Sequence, residues 1–213
     1  MKGIYLVTDP IACQGKPLES IVLDAVKAGV SCVQLREKNA GTRLFLKKAL
    51  ALKSILEPAG IPLIINDRVD IALAAKATGV HLGQSDMPCD HARRLMGPAA
   101  VIGLSVETWE DVQKAQDLDV NYLGVSPVFL TPTKTDTKSP WGLEGLKKIR
   151  GYSRHPLVAI GGINMSNGKK VIKAGADAIA VVSAICSAND AFDATQQLVS
   201  LFEQTYIPQE RGI

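Results

Sequence analysis

The sequence predicts a single-domain α/β protein over residues 1–213, a (β/α)8 (TIM) barrel, and three observations support this fold. Short apolar segments alternate with amphipathic helical segments along the whole chain, as in repeated strand–helix units. The 213 residues provide about 27 residues for each of eight units, close to the lower limit for this fold. A doubly wound open sheet is the alternative. However, its GxGxxG fingerprint is absent after the first strand, where Asp9–Ala12 follows.

Eight apolar runs are predicted as strands. They are apolar on both faces, which is typical of parallel strands covered by helices outside and by packed side chains inside. The predicted strands are Ile4–Thr8, Cys32–Arg36, Leu63–Asn66, Val80–Gly83, Val101–Ser105, Tyr122–Val125, Leu157–Ile160 and Ala178–Val182.

Helices are predicted between the strands, and two of them, Thr42–Ala59 and Asn189–Tyr206, carry an apolar face at helical spacing. Thr108 and Asp111 resemble a capping box, in which each side chain accepts from the other residue's backbone. The apolar faces are Phe45, Ala49, Leu52 and Leu56 in the first helix and Phe192, Thr195, Val199 and Phe202 in the second.

A glycine separates a predicted helix from the following strand at three places, Gly29, Gly79 and Gly175. Glycine adopts the left-handed conformation that commonly ends a helix. We therefore expect all three to be helix C-caps. The recurrence of the same helix–glycine–strand pattern fits a repeated strand–helix unit.

Composition excludes several function classes. Apolar residues make up 46% of the chain and charged residues 21%, which excludes intrinsic disorder. A net charge of +3 with only 5% aromatic residues argues against nucleic-acid binding, because the basic residues occur as scattered pairs. No apolar window is long enough for a membrane span. The N-terminus lacks a signal-peptide pattern, so we expect a cytoplasmic protein.

The four cysteines and three histidines are too scattered for a zinc site. The thiols are predicted to be reduced and inert. The sequence leaves a homo-oligomer open.

In a barrel of this kind the chemistry lies at the carboxyl ends of the strands, so polar residues there are the candidates for function. Asp67 and Asp86 follow neighbouring predicted strands, and their carboxylates could approach one ion. Two hard oxygen ligands, with water and substrate phosphate completing the shell, suit Mg²⁺. A helix cap is the alternative role for either aspartate.

Three cations, Arg36, Lys38 and Lys134, are expected at the same mouth. Together they indicate an anion with more charge than one phosphate, and a pyrophosphate would fit. Gln34 and Asn66 are also placed there, although inward barrel positions often hold buried amides.

A phosphate site is predicted at the last two strands. Gly161 and Gly162 follow the seventh strand and let the backbone approach an anion, and Val182 and Ser183 follow the eighth. The segment Thr131–Gly142 is the longest stretch without apolar periodicity and is predicted to be a functional loop or lid.

Other polar residues near the strand ends, Arg68, Ser85 and His81, are interpreted as structural. We find no serine–histidine pair, no activated cysteine and no general base among the candidate site residues. Stabilisation of a leaving group is therefore favoured over nucleophilic catalysis.

Seven motifs in strand order resemble those of the thiamin phosphate synthase family, and the resemblance extends over nearly the whole chain. Each motif is weak alone, but their order on eight strands is specific. The motifs are Gln34–Lys38, Ile65–Arg68, His81–Asp86, Ile102–Ser105, Phe129–Lys134, Gly142–Leu146 and Ile160–Ile163.

The resemblance implies a (β/α)8 transferase for phosphorylated small molecules. It would join 4-amino-2-methyl-5-hydroxymethylpyrimidine diphosphate to 4-methyl-5-(2-phosphoethyl)thiazole, releasing pyrophosphate. It also implies Mg²⁺ at Asp67 and Asp86. The pyrimidine diphosphate would contact Gln34, Arg36, Lys38, Asn66, Ser105 and Lys134, and the thiazole phosphate Thr131, Thr133, Gly162, Val182 and Ser183. The implied catalytic residues are Arg36, Lys38, Lys134 and Ser105.

One position departs from the resembled pattern, because Ser126 stands where the family usually has glycine before proline. Two other functions remain open: a thiazole tautomerase of the same superfamily, and a non-catalytic barrel that binds a phosphorylated ligand.

Overall fold

The computed structural model describes residues 2–131 and 138–203, and these residues form a closed barrel of eight parallel strands. Each strand pairs with the next one along the chain, and the eighth pairs with the first. The predicted (β/α)8 fold is thus confirmed. The strands are β1 (Gly3–Val7), β2 (Cys32–Leu35), β3 (Leu63–Asn66), β4 (Gly79–Leu82), β5 (Val101–Val106), β6 (Tyr122–Val125), β7 (Leu157–Ile160) and β8 (Ala178–Val181).

Helices follow the strands and cover the outside of the barrel. A short helix follows β8 before the last described one. The helices are α1 (Leu18–Lys27), α2 (Thr42–Leu56), α3 (Val69–Ala75), α4 (Cys89–Met96), α5 (Trp109–Ala115), α6 (Gly142–Tyr152), α7 (Gly168–Lys173), α8 (Ser183–Cys186) and α9 (Ala191–Glu203).

The strands alternate between two apolar layers, as the pleat of a strand requires. In β8, Ala178 and Ala180 belong to a small cluster with Tyr5 and Tyr122 inside the barrel. Ile179, on the opposite face, belongs to the larger core between strands and helices. Burial on both faces explains why the strands read as continuous apolar runs.

The predicted helix faces are confirmed in α2 and partly in α9. Every predicted apolar residue of α2 is buried. In α9, Thr195 and Phe202 are buried as predicted. Phe192 and Val199 are partly buried, with Val199 packed against the core, and Leu198 and Leu201 are buried in addition. The capping box is confirmed, because Thr108 accepts from the Asp111 N–H and the Asp111 carboxylate from the Thr108 N–H.

The prediction for Gly79 is wrong. Gly29 and Gly175 adopt the left-handed conformation, with φ of 94° and 109°, but the left-handed residue after α3 is its C-cap Lys76, whose φ is 50°. Gly79 is instead the first residue of β4, opposite Val101. A Cβ atom there would lie 1.9 Å from the Val101 carbonyl oxygen, so glycine is required by close approach of two strands.

Within the described ranges, none of the helices combines the length and apolar character needed to cross a membrane.

Candidate functional site

The predicted polar residues gather at the carboxyl ends of the strands. Gln34, Asn66 and Ser105 lie within β2, β3 and β5, each at or next to the last residue. Arg36 follows β2 directly, and Asp67 follows β3. Parallel strands place all their carboxyl ends on one rim, so these side chains share one mouth.

Asp67 adopts the left-handed conformation, with φ of 62°, which is uncommon outside glycine, although aspartate adopts it more often than most residues. Its N–H donates to the His81 carbonyl oxygen of β4 at 2.8 Å, which anchors the turn to the neighbouring strand. Lys38 Nζ lies 2.6 Å from Asp67 Oδ2. The predicted cation and the predicted metal ligand therefore form an ion pair.

The carboxyl group of Asp86 lies beside that of Asp67. Asp86 Oδ2 accepts from the Gly83 N–H at 2.7 Å. Burial raises the pKa of the Asp86 carboxyl above its ordinary value and the Asp67 carboxylate raises it further, while the Gly83 N–H and Lys38 oppose the shift. The two aspartates are thus like-charged neighbours, an arrangement that a cation would stabilise.

The donor set is small. Among residues 2–131 and 138–203, no group of three or more histidine, cysteine, aspartate or glutamate side chains converges as a metal cage. Two carboxylates with open positions suit an ion such as Mg²⁺ that keeps water and takes substrate phosphate oxygens. They do not suit a metal that needs a full set of protein ligands.

Arg36 is held by a residue that the sequence analysis missed. Its Nη1 lies 2.9 Å from Asp9 Oδ2, and the other Asp9 oxygen accepts from the N–H groups of Ile11 and Ala12 at 3.0 Å. Asp9 is almost fully buried, so the guanidinium is fixed in direction. The available signal was an aspartate just after the carboxyl end of β1.

Glu37 stands between two site residues but belongs to the scaffold. Its side chain is buried and pairs with Lys48 of α2 at 2.6 Å. The residue therefore joins the loop after β2 to the helix that follows it.

A serine–histidine pair is present, contrary to the expectation from sequence. His81 Nε2 lies 2.9 Å from Ser105 Oγ, and His81 Nδ1 lies 2.9 Å from the Tyr122 hydroxyl. The partner of Nδ1 is thus a phenol and not the carboxylate of a catalytic triad. The interpretation of His81 as a purely structural residue is too narrow, because it contacts a candidate site side chain.

At the opposite side of the mouth, Gly161 and Gly162 have positive φ values of 105° and 63°. A Cβ atom at Gly162 would lie 2.6 Å from the Leu130 carbonyl oxygen, so glycine lets the loop after β6 pack against that after β7. Val182 and Ser183 begin α8, whose first N–H groups have no partner within the helix.

Part of the predicted site cannot be placed. Thr131 is half-buried in the loop after β6. Thr133 and Lys134 lie outside the described residues, as does half of the predicted loop Thr131–Gly142 (residues 132–137).

Arg68 is confirmed as structural, since it pairs with Asp70 at 2.6 Å and donates to Thr42. The cysteines are buried and free, as expected. However, contact with the Cys186 thiol lowers the pKa of Cys13, which the expectation of inert thiols did not include. Cys13 is only 5% exposed, which restricts its access to reagents.

Comparison with protein families agrees with this geometry. Residues 4–185 match the family described as thiamine monophosphate synthase. The chain is 58% identical over 200 residues to a thiamine-phosphate synthase of Albidiferax ferrireducens, covering 94% of this chain and 91% of the relative. It is 54% identical over 206 residues to the thiamine-phosphate synthase of Leptospira biflexa serovar Patoc, covering 95% and 98%.

Solved structures show the same relationship. The structure of thiamine phosphate pyrophosphorylase from Pyrococcus furiosus superimposes with a TM-score of 0.87 at 37% identity, covering 96% of both chains. A 3-hexulose-6-phosphate synthase superimposes with a TM-score of 0.68 at 19% identity, covering 93% of this chain and 99% of the other, which shows the barrel fold alone. From the extent and identity of these matches, the chain belongs to the thiamine monophosphate synthase family, a family of (β/α)8 transferases.

Proposed function

We propose that this protein joins 4-amino-2-methyl-5-hydroxymethylpyrimidine diphosphate to 4-methyl-5-(2-phosphoethyl)thiazole and releases pyrophosphate and thiamin phosphate. The observation that carries the proposal is the cluster of Asp67, Asp86 and Lys38, with the Lys38–Asp67 pair at 2.6 Å. Two carboxylates beside a lysine, near an oriented arginine, match a diphosphate that arrives with a cation.

The pyrimidine diphosphate is assigned to the β2–β5 side of the mouth. Gln34 and Ser105 face the pyrimidine ring, while Asn66, Arg36 and Lys38 hold the diphosphate. Lys134 is assigned to the same diphosphate. The ion pair between Arg36 and Asp9 supports this assignment, because it fixes the orientation of the guanidinium. A guanidinium in a fixed orientation can bind phosphate oxygens in a defined direction.

The thiazole phosphate is assigned to the β6–β8 side. Gly162, Val182 and Ser183 present backbone groups there, and Thr131 and Thr133 belong to the loop after β6. The support is the close packing of that loop on Gly162 together with the start of α8 at Val182 and Ser183, because the beginning of a helix favours an anion.

Asp67 and Asp86 would hold Mg²⁺. The ion would supply positive charge against the diphosphate and favour departure of pyrophosphate. The electrostatic interaction between the two carboxyl groups supports this assignment, because it places them near each other, and neither residue is the N-cap of the following helix.

The proposed reaction is a dissociative substitution at the methylene carbon. The bond from that carbon to the diphosphate oxygen breaks first, and the electron pair leaves with pyrophosphate. Arg36, Lys38 and Lys134 stabilise the charge that develops on it. The aminopyrimidine bears the resulting cation, and the thiazole nitrogen forms the new bond. No proton needs to be removed, so the serine–histidine pair is not required as a base.

The test is a reaction with the purified chain, both substrates and Mg²⁺. We expect thiamin phosphate and pyrophosphate in equal amounts, and neither product when a chelator removes the metal or when the thiazole is omitted. Isomerisation of the thiazole without pyrophosphate release would favour the tautomerase. Binding of thiazole phosphate without turnover would favour a binding protein.

A second prediction concerns Asp9. Asp9→Asn keeps the size of the side chain but removes the charge that orients Arg36 at 2.9 Å. Loss of a charge-assisted hydrogen bond costs about 1.5–3 kcal/mol, so we expect kcat/KM for the pyrimidine diphosphate to fall roughly 10–100-fold. Steady-state kinetics would measure it. Asp24→Asn is the control, because Asp24 makes only a longer surface ion pair of 3.7 Å with Lys27. Equal activity of the two variants would contradict the role of Asp9.

A further inference from the structure

We propose that a chain of hydrogen bonds through the barrel interior sets Gln34 as an acceptor and Ser105 as a donor, so that the mouth selects an aminopyrimidine edge. The inference rests on the proposed function for the identity of the ligand. The polarity of the chain is a property of the protein alone and can be tested without substrate.

The chain joins five side chains from five strands. Gln34 Nε2 lies 2.9 Å from the Tyr5 hydroxyl, which lies 2.8 Å from the Tyr122 hydroxyl. Tyr122 continues to His81 Nδ1 at 2.9 Å, and His81 Nε2 reaches Ser105 Oγ at 2.9 Å. Its two ends are therefore the two residues assigned to the pyrimidine ring.

The order of the protons follows from what each atom can do. An amide nitrogen only donates, so the Tyr5 oxygen accepts from Gln34 Nε2 and the Tyr5 O–H donates to the Tyr122 oxygen. Tyr122 then donates to His81 Nδ1. A neutral imidazole that accepts at Nδ1 carries its proton on Nε2 and donates it to Ser105 Oγ.

Both phenols are suited to this relay. Tyr5 and Tyr122 are each only 1% exposed, and burial raises the pKa of both well above the ordinary value for tyrosine. Each therefore keeps its proton and can act as a donor. The rings also pack on each other and on the imidazole, with 5.5 Å between the centroids of His81 and Tyr122.

Two strand glycines make room for the chain. A Cβ atom at Gly103 would lie 2.1 Å from Tyr122 Cζ and 2.6 Å from His81 Nδ1. One at Gly124 would lie 2.9 Å from His81 Cε1. Glycine inside a strand is unfavourable unless another group must approach closely, so the barrel accommodates this particular arrangement of rings.

The ends of the chain acquire opposite polarity. Because Gln34 Nε2 donates to Tyr5, the Gln34 Oε1 atom is left to accept a hydrogen bond from a ligand. No described residue is seen to donate to that atom. Ser105 Oγ accepts from His81, so its own proton is left to donate. An aminopyrimidine presents an exocyclic amine that donates next to a ring nitrogen that accepts, which is the complementary pair.

The same order decides the role of the serine–histidine pair. With its proton on Nε2, His81 cannot remove the proton of Ser105. His81, Tyr122 and Tyr5 are therefore positioning residues, which act on the substrate through Ser105 and Gln34.

The first test is ¹⁵N NMR of the ligand-free protein with labelled histidine. The signal lost in His81→Gln identifies His81 among the three histidines. We expect its proton on Nε2. A proton on Nδ1 would mean that every hydrogen bond runs in the opposite direction. Gln34 would then be left to donate to the ligand and Ser105 to accept from it, which would overturn the proposal. This result does not depend on turnover, so it remains readable even if the proposed reaction fails.

The second test is Tyr122→Phe, which removes the central hydroxyl and keeps the ring. Both hydrogen bonds of the Tyr122 hydroxyl, to Tyr5 and to His81, are lost in this variant. We expect KM for the pyrimidine diphosphate to rise roughly tenfold and KM for the thiazole phosphate to stay unchanged. If Tyr122 had a merely structural role, its loss would lower the unfolding temperature and would change the KM values of both substrates equally or leave both unchanged. Equal changes in the two KM values, or no change in either, would overturn the proposal.

Tyr152→Phe is the matched control, since Tyr152 is about half exposed and its ring packs on Trp109 outside the barrel. If Tyr122→Phe does not fold, Tyr5→Phe breaks the chain one link earlier and must show the same selective change in KM. A wild-type protein that is active but carries the His81 proton on Nδ1 would refute the inference alone. A protein that forms no thiamin phosphate would refute the proposed function alone.

Discussion

Lys38→Ala is expected to lower kcat at least about 100-fold, the effect of removing one well-placed group that stabilises developing charge. Lys38 faces the metal-site carboxylates, with 2.6 Å between Nζ and Asp67 Oδ2. It is thus placed to neutralise a departing pyrophosphate. Asp67→Ala is expected to cause a loss of similar size, because it removes one of only two candidate carboxylate ligands. Single-turnover measurements at saturating substrates would separate this effect on the chemical step from weaker binding.

The control for Lys38 is Lys114→Ala. Lys114 also forms a close ion pair, at 2.7 Å to Glu110, but on the outer surface of α5. Exposed ion pairs contribute at most about 1 kcal/mol to stability, so both variants should fold normally. Near-normal turnover in both Lys38→Ala and Asp67→Ala would refute the proposed mechanism.

Gly79→Ala is expected to destabilise the barrel by about 3 kcal/mol or more, at or beyond the upper end for overpacked cores. The added methyl group would meet the backbone carbonyl of Val101 at 1.9 Å. A backbone atom in a paired strand cannot move aside as a side chain can, so β4 and β5 would have to separate. Equilibrium unfolding in urea would measure the loss.

Gly151→Ala is the matched control, because Gly151 lies in helix α6 with nothing within 4 Å of an added Cβ. Alanine is favoured over glycine inside a helix by up to about 1 kcal/mol, so this variant should be as stable as the parent or slightly more stable. Equal effects of the two substitutions would show that close approach of the strands is not what requires glycine at position 79.

The barrel was predictable because its signals are local. Each strand is a short apolar run buried on both faces. The predicted bounds of β3, Leu63–Asn66, agree with the structure at both ends. Other strand ends shifted by one residue, as for Gly79–Leu82, because the pairing of a neighbouring strand decides where a strand begins. The role of Gly79 was misread for the same reason, since its constraint is the carbonyl of Val101.

The site was predictable where it depends on strand order. Asp67 and Asp86 follow adjacent strands, and the structure brings their carboxyl groups together. The interior chain of Tyr5, Tyr122 and His81 was not foreseen, because it depends on which face of each strand points inward. Gly103 and Gly124, glycines inside apolar strands, were the available signal.

The pairing of β8 with β1 also has a consequence for the order in which the protein can fold. Gly3 of the first strand pairs with Ala178 of the last, a contact that spans most of the chain. During synthesis, the N-terminal strand therefore keeps one edge unpaired until nearly the whole polypeptide has been made. An apolar strand with a free edge invites association with other chains. The pairing of β8 with β1, and not the formation of any single strand–helix unit, is thus the step at which folding and aggregation compete.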